Sequence, residues 1–130
     1  MNIGIIIAII SLFALILVAV VFARKKGATK EPIIEPVFEF YSDGNLKKEF
    51  YVKYFKSTDP KLKTGEEKIY YPTGELNKTI TWENGKRNGE VTIYYRSGNH
   101  YVEGMYKKDK LCGSYIVRDE NGGVIYSKRY

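Results

Sequence analysis

The sequence predicts an all-β repeat domain, an elongated antiparallel sheet of β-hairpins, preceded by one transmembrane α-helix. Three observations lead there: an uncharged apolar run near the N-terminus, glycines that recur every 24 residues beyond it, and apolar side chains that alternate with polar ones between those glycines. With 130 residues there is room for one modest domain. One Cys and one His exclude a disulfide framework and the usual Cys- or His-based metal sites. The net charge of +6 is unevenly placed. Residues 1–30 hold Arg24, Lys25, Lys26 and Lys30 and no acid, while residues 31–130 hold 17 basic against 15 acidic side chains. A body so close to neutral does not point to nucleic acid.

The first element is the run Ile3–Phe22, twenty residues without a charge. At ~1.5 Å per residue it covers the ~30 Å hydrocarbon core as a helix. No Lys or Arg precedes it and a basic cluster follows it, the reverse of a cleaved secretory signal. Residues 1–23 are therefore read as a retained anchor. The positive-inside rule keeps Arg24, Lys25, Lys26 and Lys30 cytoplasmic, so the expected location is the inner (plasma) membrane with the repeats in the cytosol; a periplasmic or extracellular repeat domain is the alternative. The same four side chains are candidate lipid contacts, at about 1 kcal/mol each on an anionic surface. Residues 24–36, with Pro32 and Pro36, read as a basic, semi-extended linker.

Residues 37–130 form the repeat domain. Tyr71-Pro72-Thr73-Gly74, Tyr95-Arg96-Ser97-Gly98 and Asp119-Glu120-Asn121-Gly122 place their glycines 24 residues apart, and Tyr41-Ser42-Asp43-Gly44 stands 30 residues before Gly74. Gly65, Gly89 and Gly113 keep the same period and are also read as turn residues. The extra residues of the first interval fall around Ser57-Thr58-Asp59-Pro60, where turn chemistry accepts an insertion. Within a unit, Val91, Ile93 and Tyr95 share one face, as do Glu67, Ile69 and Tyr71, and Tyr115, Val117 and Asp119; this is the expected inward face. Return strands carry Leu76, Ile80 and Trp82, or Leu46, Phe50, Val52 and Tyr54. Asn84-Gly85 is a hairpin signal. Ser127-Lys128-Arg129 makes the last strand polar, as in a capping unit.

The pattern Gly…Ile-Tyr-Tyr-x-x-Gly-x-Leu, followed by Trp-x-Asn-Gly-Lys-x-Asn-Gly, resembles the MORN repeat. It is most similar to the divergent bacterial form found in YwqK-type, antitoxin-like proteins. The match rests on Gly65, Tyr70, Tyr71, Gly74, Leu76, Trp82, Asn84, Gly85, Lys86, Asn88, Gly89, Tyr94, Tyr95 and Gly98, with weaker echoes at Tyr41, Gly44, Leu46, Tyr106, Gly113 and Gly122. The resemblance implies an open sheet of MORN-like hairpins that binds proteins or lipid headgroups, and for the bacterial branch an antitoxin role.

Catalytic chemistry is not legible. His100 is the only imidazole and stands beside a turn; Cys112 aligns with Asn88 in a predicted turn, without an activating neighbour beyond Lys110. Glu66 and Glu67 are adjacent on a strand and point to opposite faces. No catalytic residue, metal site or cofactor is assigned, no small-molecule substrate is evident, and the chain reads as a non-enzyme. Phe40, Tyr70 and Tyr94 share parity opposite the inward face and are expected to stack as an aromatic column, a candidate surface for an unknown protein partner. The leading expectation is a membrane-tethered repeat scaffold that binds a protein. The alternative is a module for membrane-lipid headgroups.

Overall fold

A computed structural model describes residues 30–130. The helix expected over 1–23, and Arg24, Lys25 and Lys26 after it, lie outside the described residues. Among the described residues no helix is long and apolar enough to cross a membrane. Eight strands follow one another: β1 (Ile33–Phe40), β2 (Leu46–Tyr54), β3 (Leu62–Tyr70), β4 (Leu76–Glu83), β5 (Lys86–Tyr94), β6 (His100–Lys107), β7 (Lys110–Arg118) and β8 (Val124–Arg129). They form one antiparallel sheet in that order, so every strand pairs with its sequence neighbours. The all-β hairpin architecture is as the period-two pattern predicts.

Two kinds of tight turn recur along the meander, and a longer loop, residues 55–61, joins β2 to β3. At one end, Tyr41–Asn45, Tyr71–Glu75, Tyr95–Asn99 and Asp119–Gly123 each close with the first residue's N–H donating to the fifth residue's carbonyl. The fourth residue, Gly98 for example, donates its N–H back to the first and sits at φ 88°, left-handed backbone that L side chains resist. At the other end, Asn84-Gly85 has φ 52° and 77°, the two-residue hairpin its sequence signals. Lys108-Asp109 adopts the same geometry at φ 51° and 68° without a glycine. It is held there by the Lys108 N–H on Asn88 Oδ1 (3.2 Å) and the Asp109 N–H on the Arg87 carbonyl (2.9 Å).

Three expectations are corrected. Gly65, Gly89 and Gly113 do not lie in turns; they sit inside β3, β5 and β7, where the ladder slips. Against Ile80 and Trp82 of β4, for instance, the β5 partners are Val91 and Arg87, so two extra residues bulge out around Gly89. A period in glycine cannot by itself separate a turn from a bulge, because both need left-handed backbone. Cys112 accordingly lies in β7, half-buried and paired with Met105, not in a turn. The linker read over 24–36 also ends early: β1 begins at Ile33, which pairs with Tyr54. Its Pro36 is tolerated because β1 is an edge strand.

The sheet is one layer thick, and burial is correspondingly shallow. Among the described residues Val52, Tyr54 and Val102 are the buried apolar ones, all on the face that carries Ile93, termed here the inner face. Stability therefore resides in ladder hydrogen bonds and cross-strand pairs, the latter contributing roughly 0.2–1 kcal/mol each. The last strand departs from a polar cap: Val124, Ile125 and Tyr126 precede its basic end, and all six residues of β8 are exposed.

Candidate functional site

Four strands build a groove of about 150 Å³ on the inner face. Ile80 of β4, Val91 and Ile93 of β5 and Val102 of β6 supply its apolar lining. Gly104 keeps it open: a Cβ there would meet the Tyr115 ring at 3.4 Å and Leu111 at 3.5 Å. Lys78 and Arg87 bring positive charge, and no carboxylate lines the groove. Arg87 reaches this face because a bulge of two residues preserves the alternation of β5, leaving 87, 91 and 93 on one side.

The two cations are held differently. The Arg87 guanidinium lies 4.4 Å from the centre of the Tyr106 ring, and its Nε donates to Asp109 Oδ1 at 3.2 Å. The Arg87 backbone N–H, joined by that guanidinium, holds the Asp109 carboxyl below its ordinary range. Lys78 takes part in none of the ion pairs found among the described residues. Lys78 thus lines the groove without a carboxylate partner among the described residues.

Beyond the groove the inner face is closed off by a charged cluster. Glu67 is only 2 % exposed, yet its carboxylate accepts from Lys63 Nζ and from Trp82 Nε1 (2.8 Å). Lys63 lies 4.5 Å from the Phe50 ring centre and 4.7 Å from that of Trp82. A carboxylate thus fills a place that Val91 and Tyr115 fill in the next units; with both oxygens bonded, it can be buried.

A second device was absent from the sequence reading. The hydroxyl of Tyr41 donates to the Tyr70 carbonyl (2.7 Å), that of Tyr71 to the Tyr94 carbonyl (2.9 Å), and that of Tyr95 to the Arg118 carbonyl (2.9 Å). Each staple joins one turn to the end of the strand two places on. The signal was present in the first Tyr of Tyr-x-x-Gly, which recurs in three of the four turns.

The structure sets Phe40, Tyr70 and Tyr94 at equivalent places, as the last residues of β1, β3 and β5. They do not stack. The ring pairs among the described residues are Tyr94 with His100, Tyr95 with Tyr101, and Tyr115 with Tyr126. Tyr70 is half-buried and donates to Glu49 Oε1 at 2.7 Å; burial, followed by that bond, pushes its phenol up to about 12. Tyr94 is also half-buried, edge-on to His100. Phe40 is 60 % exposed. The column fails because strands within a repeat intervene, so equivalent residues of successive units lie two strands apart, about 10 Å. Lys30, the one described member of the basic cluster, is exposed.

On the outer face, Glu103 accepts from Arg118 Nε at 2.7 Å and lies 3.1 Å from His100 Nδ1. The Arg118 bond and then the His100 bond hold the Glu103 carboxyl below its ordinary range. Glu103 is the one side-chain hydrogen-bond partner of His100 among the described residues.

Two segments, residues 63–84 and 87–108, match the MORN repeat variant. Each covers one hairpin, β3–β4 or β5–β6. Neither a curated protein nor a solved structure matches the chain.

Proposed function

From a chain that carries two such repeats, we propose a non-catalytic scaffold, tethered to the inner (plasma) membrane by residues 1–23, whose sheet binds a protein partner. The supporting observation is the inner-face groove. Among the described residues no second layer covers its apolar side chains, and they lie beside two cations and two tyrosines, the composition of a binding surface rather than of a core. Affinity capture of the intact membrane protein tests it. Tyr106→Ser should lower recovery of a co-purifying protein while Phe40→Ser leaves it unchanged; the reverse would move the partner to the outer aromatic residues. An antitoxin-like role makes that partner a toxin, whose growth arrest the wild-type chain relieves and Tyr106→Ser does not.

The repeats are proposed to face the cytosol. Because Cys112 is half-buried, the label belongs elsewhere, on Ser97→Cys in an exposed turn with Cys112→Ser. An impermeant maleimide should then react only after permeabilisation; reaction in intact spheroplasts would place the repeats outside.

One observation favours membrane contact as a second reading. The outer face of β1 is an apolar stripe, with Ile34, Phe38 and Phe40 all more than half exposed, beginning four residues after Lys30. Binding of the chain to anionic vesicles that falls with Phe38→Ser and Phe40→Ser would support it.

A further inference from the structure

We infer that the inner-face groove selects an extended protein segment in which an apolar side chain stands next to a carboxylate; this rests on the protein-binding reading above and names the chemistry of the partner. The volume of about 150 Å³ suits one large side chain against Ile80, Val91 and Val102. Charge decides what flanks it. Two cations border the groove and no acid does, so a neutral or basic segment would leave Lys78 desolvated without return. Arg87 already shares its charge with Asp109 and Tyr106, which fixes it as a rigid wall. Lys78 has no such partner among the described residues and is the group left to meet an incoming carboxylate. Apolar lining and cation come from adjacent strands, so both contacts fall within one or two residues of a bound chain.

The experiment titrates the full chain in detergent micelles with two blocked peptides, acetyl-Gly-Leu-Asp-Gly-amide and acetyl-Gly-Leu-Asn-Gly-amide, following the backbone amide signals of Val91 and Val102 by NMR. The carboxylate peptide should bind about tenfold more tightly than its amide twin, the size of one charge-assisted contact. Lys78→Gln should erase that difference, and Lys110→Gln, on the exposed start of β7, should preserve it. An unchanged urea midpoint shows that Lys78→Gln is folded. Equal binding of the two peptides by the wild-type chain overturns the charge selectivity while leaving a protein-binding groove intact. A preference that survives Lys78→Gln removes Lys78 from the recognition, and failure of both peptides to move Val91 or Val102 overturns the inference outright. The protein-binding reading falls separately, when capture no longer depends on Tyr106.

Discussion

At Tyr71 a single hydroxyl joins two repeats, since its bond to the Tyr94 carbonyl spans 23 residues of chain. Tyr71→Phe should lower the unfolding free energy by about 1 kcal/mol, the usual net worth of such a bond, read as a shifted urea midpoint with an unchanged slope. An unaltered midpoint would show that water replaces the staple without loss. In the fourth turn Asp119 stands where the tyrosine would be, and its carboxylate accepts instead from the N–H groups of Asn121 (2.9 Å) and Gly123 (2.8 Å), closing its own turn. Alignment alone exposed that position; what it does depends on a carbonyl two strands away, which no local pattern encodes. Glu103 makes a prediction about acid. Its folded-state pKa lies below 4.5, chiefly through Arg118, so its stabilising contribution is complete above that ordinary value and is lost as pH falls through the lowered one. Glu103→Gln should therefore flatten part of the stability loss below about pH 4.5, leaving the part due to Glu35, Glu39, Glu75 and Asp109, whose carboxyls are lowered too. A pH profile parallel to that of the wild type would exclude Glu103 from the acid transition.

Among elements, the glycine-marked hairpin turns were legible, while the Lys108-Asp109 turn and the strand bulges were not. A turn announces itself through consecutive residues such as Asn84-Gly85, whereas a bulge is a relation between two strands and shows only one glycine. The distinction has a measurable form. Gly98 has open space where a Cβ would go, so Gly98→Ala costs only its left-handed backbone, about 1 kcal/mol. At Gly89 a Cβ would lie 2.8 Å from Thr81 Cβ and φ is 133°, further from any conformation an L side chain accepts, so Gly89→Ala adds overpacking of about 1–3 kcal/mol to a larger backbone cost. Paired urea titrations should rank Gly89→Ala clearly below Gly98→Ala. Equal loss would mean that β4 and β5 part easily at the bulge. The groove was illegible for the same reason: Lys78, Arg87 and Gly104 belong to three different strands, and none stands in a recognisable motif.

For the whole molecule the repeat is the unit of tolerance. Deleting Gly65–Asn88 joins Thr64 to Gly89 and continues β3 directly as β5, so a six-stranded sheet should fold cooperatively at reduced stability. Removing half as many residues from the same place breaks the register and should abolish the transition. Comparable unfolding curves for the two deletions would refute the repeat as the structural unit. The meander, in which each strand pairs only with its sequence neighbours and no layer bridges β1 to β8, also determines how the domain answers mechanical tension. A pull on Pro32 and Tyr130 acts across the ladder, opening one hairpin after another instead of shearing many strands at once. Eight strands about 4.8 Å apart would lengthen roughly tenfold when fully drawn out, at low force and in successive steps. Such a domain, held at one end and gripped by a partner at its face, would pay out slack before it broke.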